Sequence, residues 1–157
     1  MTELLLSLHV LAALVAVGPV TVAASMFPAT LRRALGDPGD GDARTTLRTL
    51  HRICRVYAGV GAAVPLFGFA TAGSLGVLGD TWLIASILLT AAAAGVLVLL
   101  VLPAQDRALA GTADPPEPSA PVLPAPGRLA AHTGVFNLLW ATVTVLMIVR
   151  PGSTTGA

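Results

Sequence analysis

Three histidines, a single cysteine and one asparagine in apolar surroundings are the residues of this chain whose chemistry could exceed packing. His9 lies inside a long apolar run, and an imidazole within a membrane is a site hypothesis by default. Neutral imidazole ligates haem iron, so His9 is a candidate ligand for haem b. His51 and His132 fall near the ends of other apolar runs. With a rise of ~1.5 Å per residue and a hydrocarbon core of ~30 Å, His9 and His132 differ in depth by roughly 18 Å. One haem would therefore need His51 with His132, or His9 with a ligand other than histidine. The competing reading is that each imidazole hydrogen-bonds to a neighbouring helix. Cys54 stands alone, so neither an internal disulfide nor CxxC redox chemistry is available, and it reads as a small packing residue. Met26 and Met147 are isolated, which leaves no visible copper-type cluster and no metal site.

Two further patterns carry polar chemistry. Thr133, Asn137, Trp140 and Thr144 fall within about 60° of one another on a 3.6-residue helix. They either line a small polar cavity or bond to another helix across the bundle. Arg44, Arg48, Arg52 and Arg55 also recur at helical spacing and suit anionic lipid headgroups. No P-loop and no Ser–His–Asp spacing is present, and the apolar runs hold no carboxylate for proton-coupled transport. No catalytic residue is assigned.

Positioning these side chains falls to four apolar segments, Leu4 to Phe27, Val56 to Leu78, Trp82 to Leu102 and Leu129 to Val149. Each is free of acidic and basic residues, and each has the ~20 residues that a helix needs to cross a bilayer. Backbone amides in hydrocarbon must be bonded within the segment, so each is expected to be a transmembrane helix. The chain is 55% hydrophobic and 11% charged, against roughly 25% charged residues in soluble domains. Mean hydropathy is +0.82. One all-α domain covering residues 1–157 is expected, a polytopic four-helix bundle with cytoplasmic loops at 28–55 and 103–128. The acidic start and the length of the first apolar run predict a retained helix and not a cleaved signal peptide.

Orientation follows from the nine basic residues, all arginine. Arg32, Arg33, Arg44, Arg48, Arg52 and Arg55 precede the second segment, Arg107 and Arg128 flank the loop before the fourth, and Arg150 lies opposite. Short arginine-rich loops stay in the cytoplasm, which places both termini outside. Gly79-Asp80-Thr81 then forms an outer hairpin, with Trp82 anchored at that interface. The Gly36–Asp42 breaker cluster reads as a mobile loop, after which the second helix begins about three turns before the membrane. The stretch from Ala113 to Gly127, with six prolines, reads as an extended, largely disordered linker.

Small residues mark the contact faces. His9, Ala13, Ala16, Val20 and Ala23 share one side of the first helix, while Leu4, Leu8, Leu11, Val15 and Val22 suit lipid. Cys54, Ala58, Gly61, Pro65, Gly68, Ala72 and Gly76 form a matching stripe on the second, which should pack on the first helix or on a second copy. Pro65 should kink its helix near mid-membrane.

The motif Leu8-His9-Val10-Leu11 with Gly18-Pro19, then Pro65 and Gly73, Thr81-Trp82-Leu83-Ile84-Ala85-Ser86 and Leu102-Pro103-Ala104-Gln105-Asp106-Arg107, resembles uncharacterised bacterial four-helix integral membrane proteins over nearly the whole chain. More distantly, the Leu8-His9 start is similar to copper-resistance D domains and to HemJ-type protoporphyrinogen oxidases, a resemblance that implies metal or haem at His9. The HemJ pattern pairs its histidine with an intramembrane lysine, and this chain has no lysine. The reading that emerges is a structural or interaction subunit of a bacterial inner membrane. Its partners would be the lipid bilayer and a second copy or another membrane protein, with no nucleic acid. A haem-binding redox protein using His9 and an oligomeric small-molecule permease lined by the Asn137 stripe are the alternatives.

Overall fold

The computed structural model describes residues 2–113 and 124–152. Among them all regular structure is helical: α1 (Thr2–Gly36), α2 (Gly41–Val60), α3 (Ala63–Leu75), α4 (Thr81–Gly95), a π-helical turn (Val96–Val101), α5 (Leu102–Gly111) and α6 (Pro126–Val149). These make four rods: α1, α2 with α3, α4 through α5, and α6. All four are long and apolar enough to cross a membrane. The helices run well past the apolar segments. Residues expected in the first loop are helical on both sides of a short turn, and the third rod continues to Gly111. Most of the proline-rich stretch lies outside the described residues.

Proline explains both irregular rods. Pro65 has no N–H to give the Gly61 carbonyl, and its ring would crowd that oxygen. The chain breaks there: Val64 N–H takes the Gly61 carbonyl at 3.1 Å in a tighter turn, and α3 restarts at Ala63. The expected kink is this break. Pro103 stands in the same relation to Leu99, and the turn before it widens, with Leu102 N–H reaching back to the Leu97 carbonyl. A single π turn absorbs the misfit without ending the helix.

The breaker cluster forms a tight turn, contrary to the mobile loop expected from its composition. Asp40 caps α2 by accepting from Ala43 N–H at 2.9 Å, and its other oxygen holds the Arg33 Nε at 2.7 Å. Asp37 accepts from Gly39 N–H at 3.0 Å. These bonds pull the Asp40 carboxyl below the ordinary aspartate range, the Ala43 amide first and the Arg33 guanidinium after it. At the other end Gly76 adopts a left-handed backbone (φ 71°), which lets Val77 N–H close on the Ala72 carbonyl at 3.2 Å and stop α3.

The main core lies at the arginine-rich end, where Phe27, Leu31, Leu47, Cys54, Val101, Leu129 and Phe136 interlock from all four rods. A smaller cluster of Ala72, Trp82 and Leu83, with Met147 packed on it, joins rods 2, 3 and 4 at the hairpin end. Trp82 is buried against protein at that end. Its indole N–H donates to Asp80 at 3.0 Å and the Arg150 guanidinium lies 5.6 Å from its ring centre.

Candidate functional site

Polar side chains cross between rods at three levels. At the arginine-rich end, α2 presents His51 and Cys54 one turn apart, and α5 presents Gln105 and Asp106. His51 Nδ1 lies 3.0 Å from Gln105 Oε1, and Gln105 Nε2 donates to Cys54 Sγ at 3.6 Å. The second ring nitrogen of His51 stands 2.9 Å from Asp106 Oδ1. His51, Cys54 and Gln105 are buried while Asp106 is exposed. The amide is oriented so that both of its ends find partners, while the second ring nitrogen of His51, though near Asp106, makes no hydrogen bond among the described residues. The Cys54 packing role thus includes accepting a weak bond. Gln105 closes this clasp, and nothing in the sequence pattern singled it out.

At a second level His9 joins rod 1 to rod 2. Its Nδ1 lies 2.9 Å from the Val64 carbonyl, and the ring rests on Gly68, where an added Cβ would sit 3.0 Å from His9 Cε1. The small residue of the stripe is there to admit an imidazole. At a third level α6 bonds to α1: Asn137 Nδ2 donates to Ser25 Oγ at 3.1 Å, and Thr133 approaches the Ala24 carbonyl at 3.5 Å. The four-residue stripe then divides. Trp140 sits edge-on to Phe136 with ring centres 6.4 Å apart. Thr144, expected inside with the others, is exposed and bonds back to the Trp140 carbonyl of its own helix. At that level α6 buries Val143 instead, and its Met147 packs on the cluster of Ala72, Trp82 and Leu83.

Between the two ends the bundle is open. Rod 2 packs along rod 1, but meets rod 3 at α5 and again near the hairpin. It is the least buried rod, with 11% of its most apolar stretch covered against 28% for rod 1. A cleft of about 210 Å³ results, walled by Ala16, Tyr57, Gly61, Pro65, Val98 and Trp140 among others. Its causes are legible: small residues on both facing stripes, the break forced by Pro65, and the widened turn that carries Leu97 and Val98.

The arginines lie on the same rod. Arg44 is half-buried and bonds to the Pro38 carbonyl, whereas Arg48, Arg52 and Arg55 are exposed. His132 is half-buried, with its Nδ1 buried and unbonded; Asn137 Oδ1 is in the same state. His51 Nδ1 faces Gln105 and its Nε2 stands near Asp106. Among the described residues no group of three or more His, Cys, Asp or Glu side chains converges. Comparison of the chain with protein-family models, with curated proteins and with solved structures gives no match.

Proposed function

We propose that the chain is a structural or interaction subunit of a bacterial inner membrane, acting through the lateral cleft, with its arginine-rich end in the cytoplasm and both termini outside. The observation that carries this reading is the opening itself. Polar bonds and packed cores hold the rods at both ends, and the mid-depth face of rod 2 is left uncovered. A bundle that needed no partner would close that face, because small residues allow membrane helices to approach closely. The lining is apolar with few polar groups, which suits binding in the plane of the membrane more than passage of a polar solute. The Asn137 stripe supports bundle assembly over a permease lining, since Asn137 and Thr133 turn to α1.

A spin label at Ala62, on the cleft wall, tests the reading in liposomes. It should be relaxed by oxygen and hardly by a water-soluble nickel chelate, as should a label at the lipid-facing Phe69. Relaxation by the nickel chelate would make the cleft aqueous, and relaxation by neither in protein that is monomeric would mean that it is closed; either result rejects the proposal.

One observation favours haem as a second reading. His9 holds the Val64 carbonyl through Nδ1, the pose in which ligating imidazoles are commonly fixed, leaving Nε2 to bind. A stoichiometric Soret band that vanishes in His9→Ala would establish it; colourless protein made with ample haem would dismiss it.

A further inference from the structure

We infer that the cleft is the acyl-chain half of a site for one anionic phospholipid whose phosphate is held by Arg48 and Arg55. The inference rests on the lateral-cleft reading above and adds the chemistry of the occupant. Size is the first argument. From Tyr57 to Pro65 the cleft runs about 12 Å along rod 2. The opening holds about 210 Å³ between apolar walls. It admits a slender chain.

Charge is the second. Arg48 and Arg55 are seven residues apart on α2 and stay on one line of it to within ~20°. Ala58, on the same helix and about 60° around it from Arg55, belongs to the cleft wall. Arg55 thus stands about one turn from the cleft toward the arginine-rich end, where a headgroup would sit above the upper part of its chain. The neighbouring arginines are engaged: Arg33 by Asp40, Arg32 by the Pro28 carbonyl and Arg107 by the Pro103 carbonyl. No described residue bonds or pairs with Arg48, Arg52 or Arg55. Arg128, at the foot of α6, shares that state and the same end of the bundle.

The mouth of the cleft carries a polar group as well. Tyr57 lies two residues beyond Arg55 and lines the opening, and its hydroxyl has no hydrogen-bond partner among the described residues. A lipid seated there would bring ester carbonyls to that depth. Phosphate and chain would then meet guanidinium and apolar wall in that order of depth, with Tyr57 lining the opening from another face of the helix.

Native mass spectrometry of the full chain, released from micelles containing equal phosphatidylglycerol and phosphatidylcholine of identical acyl chains, tests this. One phosphatidylglycerol per chain should persist, favoured roughly 25-fold at about fivefold for each of two arginines. Arg48→Gln with Arg55→Gln should bring the two lipids level, while Arg107→Gln should leave the preference intact. Ala94→Phe, which narrows the cleft from the opposite wall, should reduce retention of both lipids; helicity by circular dichroism confirms that this variant is folded. Equal retention of the two lipids by the unmodified chain, or a preference that survives loss of both arginines, overturns the inference. So does a lipid-free dimer that protects the Ala62 label. A label accessible to oxygen with no lipid preference would sink the anionic lipid and leave the cleft reading standing.

Discussion

Replacing Gly68 with alanine adds one methyl group where the His9 imidazole already lies. The new Cβ would fall 3.0 Å from His9 Cε1 and 3.2 Å from Nδ1, closer than ordinary contact. The ring cannot simply retreat, because its Nδ1 is tied to the Val64 carbonyl at 2.9 Å. Overpacking of this kind costs about 1–3 kcal/mol. If the ring moves instead, the lost polar contact between membrane helices costs about 0.6–1.7 kcal/mol. Against either stands a gain of about 1 kcal/mol, because alanine is the better helix former. The expected net effect is a loss of up to about 2 kcal/mol if the ring holds its place and close to zero if it yields. In a His9→Ala background the obstacle is gone and only the helical gain is left, so the same substitution should stabilise by up to ~1 kcal/mol. The four proteins of this cycle can be compared by reversible unfolding in mixed micelles. A more favourable effect of Gly68→Ala in the His9→Ala background than in the unmodified one is the predicted result. Equal effects of Gly68→Ala in both would refute the contact, and with it the assignment of the small-residue stripe as an imidazole seat.

Three other outcomes follow from bonds of the same kind. Gln105→Leu strands His51 Nδ1 and the Cys54 thiol in a buried clasp, and should cost about 1–3 kcal/mol in thermal unfolding; adding His51→Leu should cost less than the two changes made separately. Asn137→Leu and Ser25→Ala should each cost about 0.6–1.7 kcal/mol, and together no more than the larger of the two; full additivity would show that they do not bond. Because the folded pKa of Asp40 is depressed, its contribution is present above the unfolded value and is lost as pH falls through the folded one. Its carboxyl resonance should titrate below that of a free aspartate, and Arg33→Gln should move it only part of the way back, since the Ala43 amide is the larger cause.

Much of this arrangement is legible in the chain. Apolar length and the absence of charge mark the four rods, and arginine spacing marks the early start of α2. Pro65 marks its break. The faces of α1 follow as well: Leu4, Leu11 and Val22 are exposed while Ala16, Val20 and Ala23 are buried. Contacts between rods are another matter. The clasp of His51, Cys54, Gln105 and Asp106 joins residues about fifty positions apart, and one polar residue on each of two helices carries no sign of which will meet. The Thr144 face was misplaced for a related reason, since helical periodicity fixes direction around an axis but cannot say where a neighbouring helix diverges. Local turn chemistry misled once, at Asp37 to Asp40, where residues that disfavour helix also supply the side-chain bonds that order a turn.

Every functional statement above requires the four rods to cross a bilayer in alternating directions, and paired topology reporters test that requirement most directly. A reporter active only in the periplasm should work after Ala157 and within the Gly79 hairpin, and stay silent at Gly41. A cytoplasmic reporter should give the complementary pattern. Exchange of the two patterns would keep four crossings and reverse the orientation, placing the arginine line in the outer leaflet. Gly41 and Gly79 on the same side would contradict the account, because rod 2 would not cross and the cleft beside it would have no bilayer to open into.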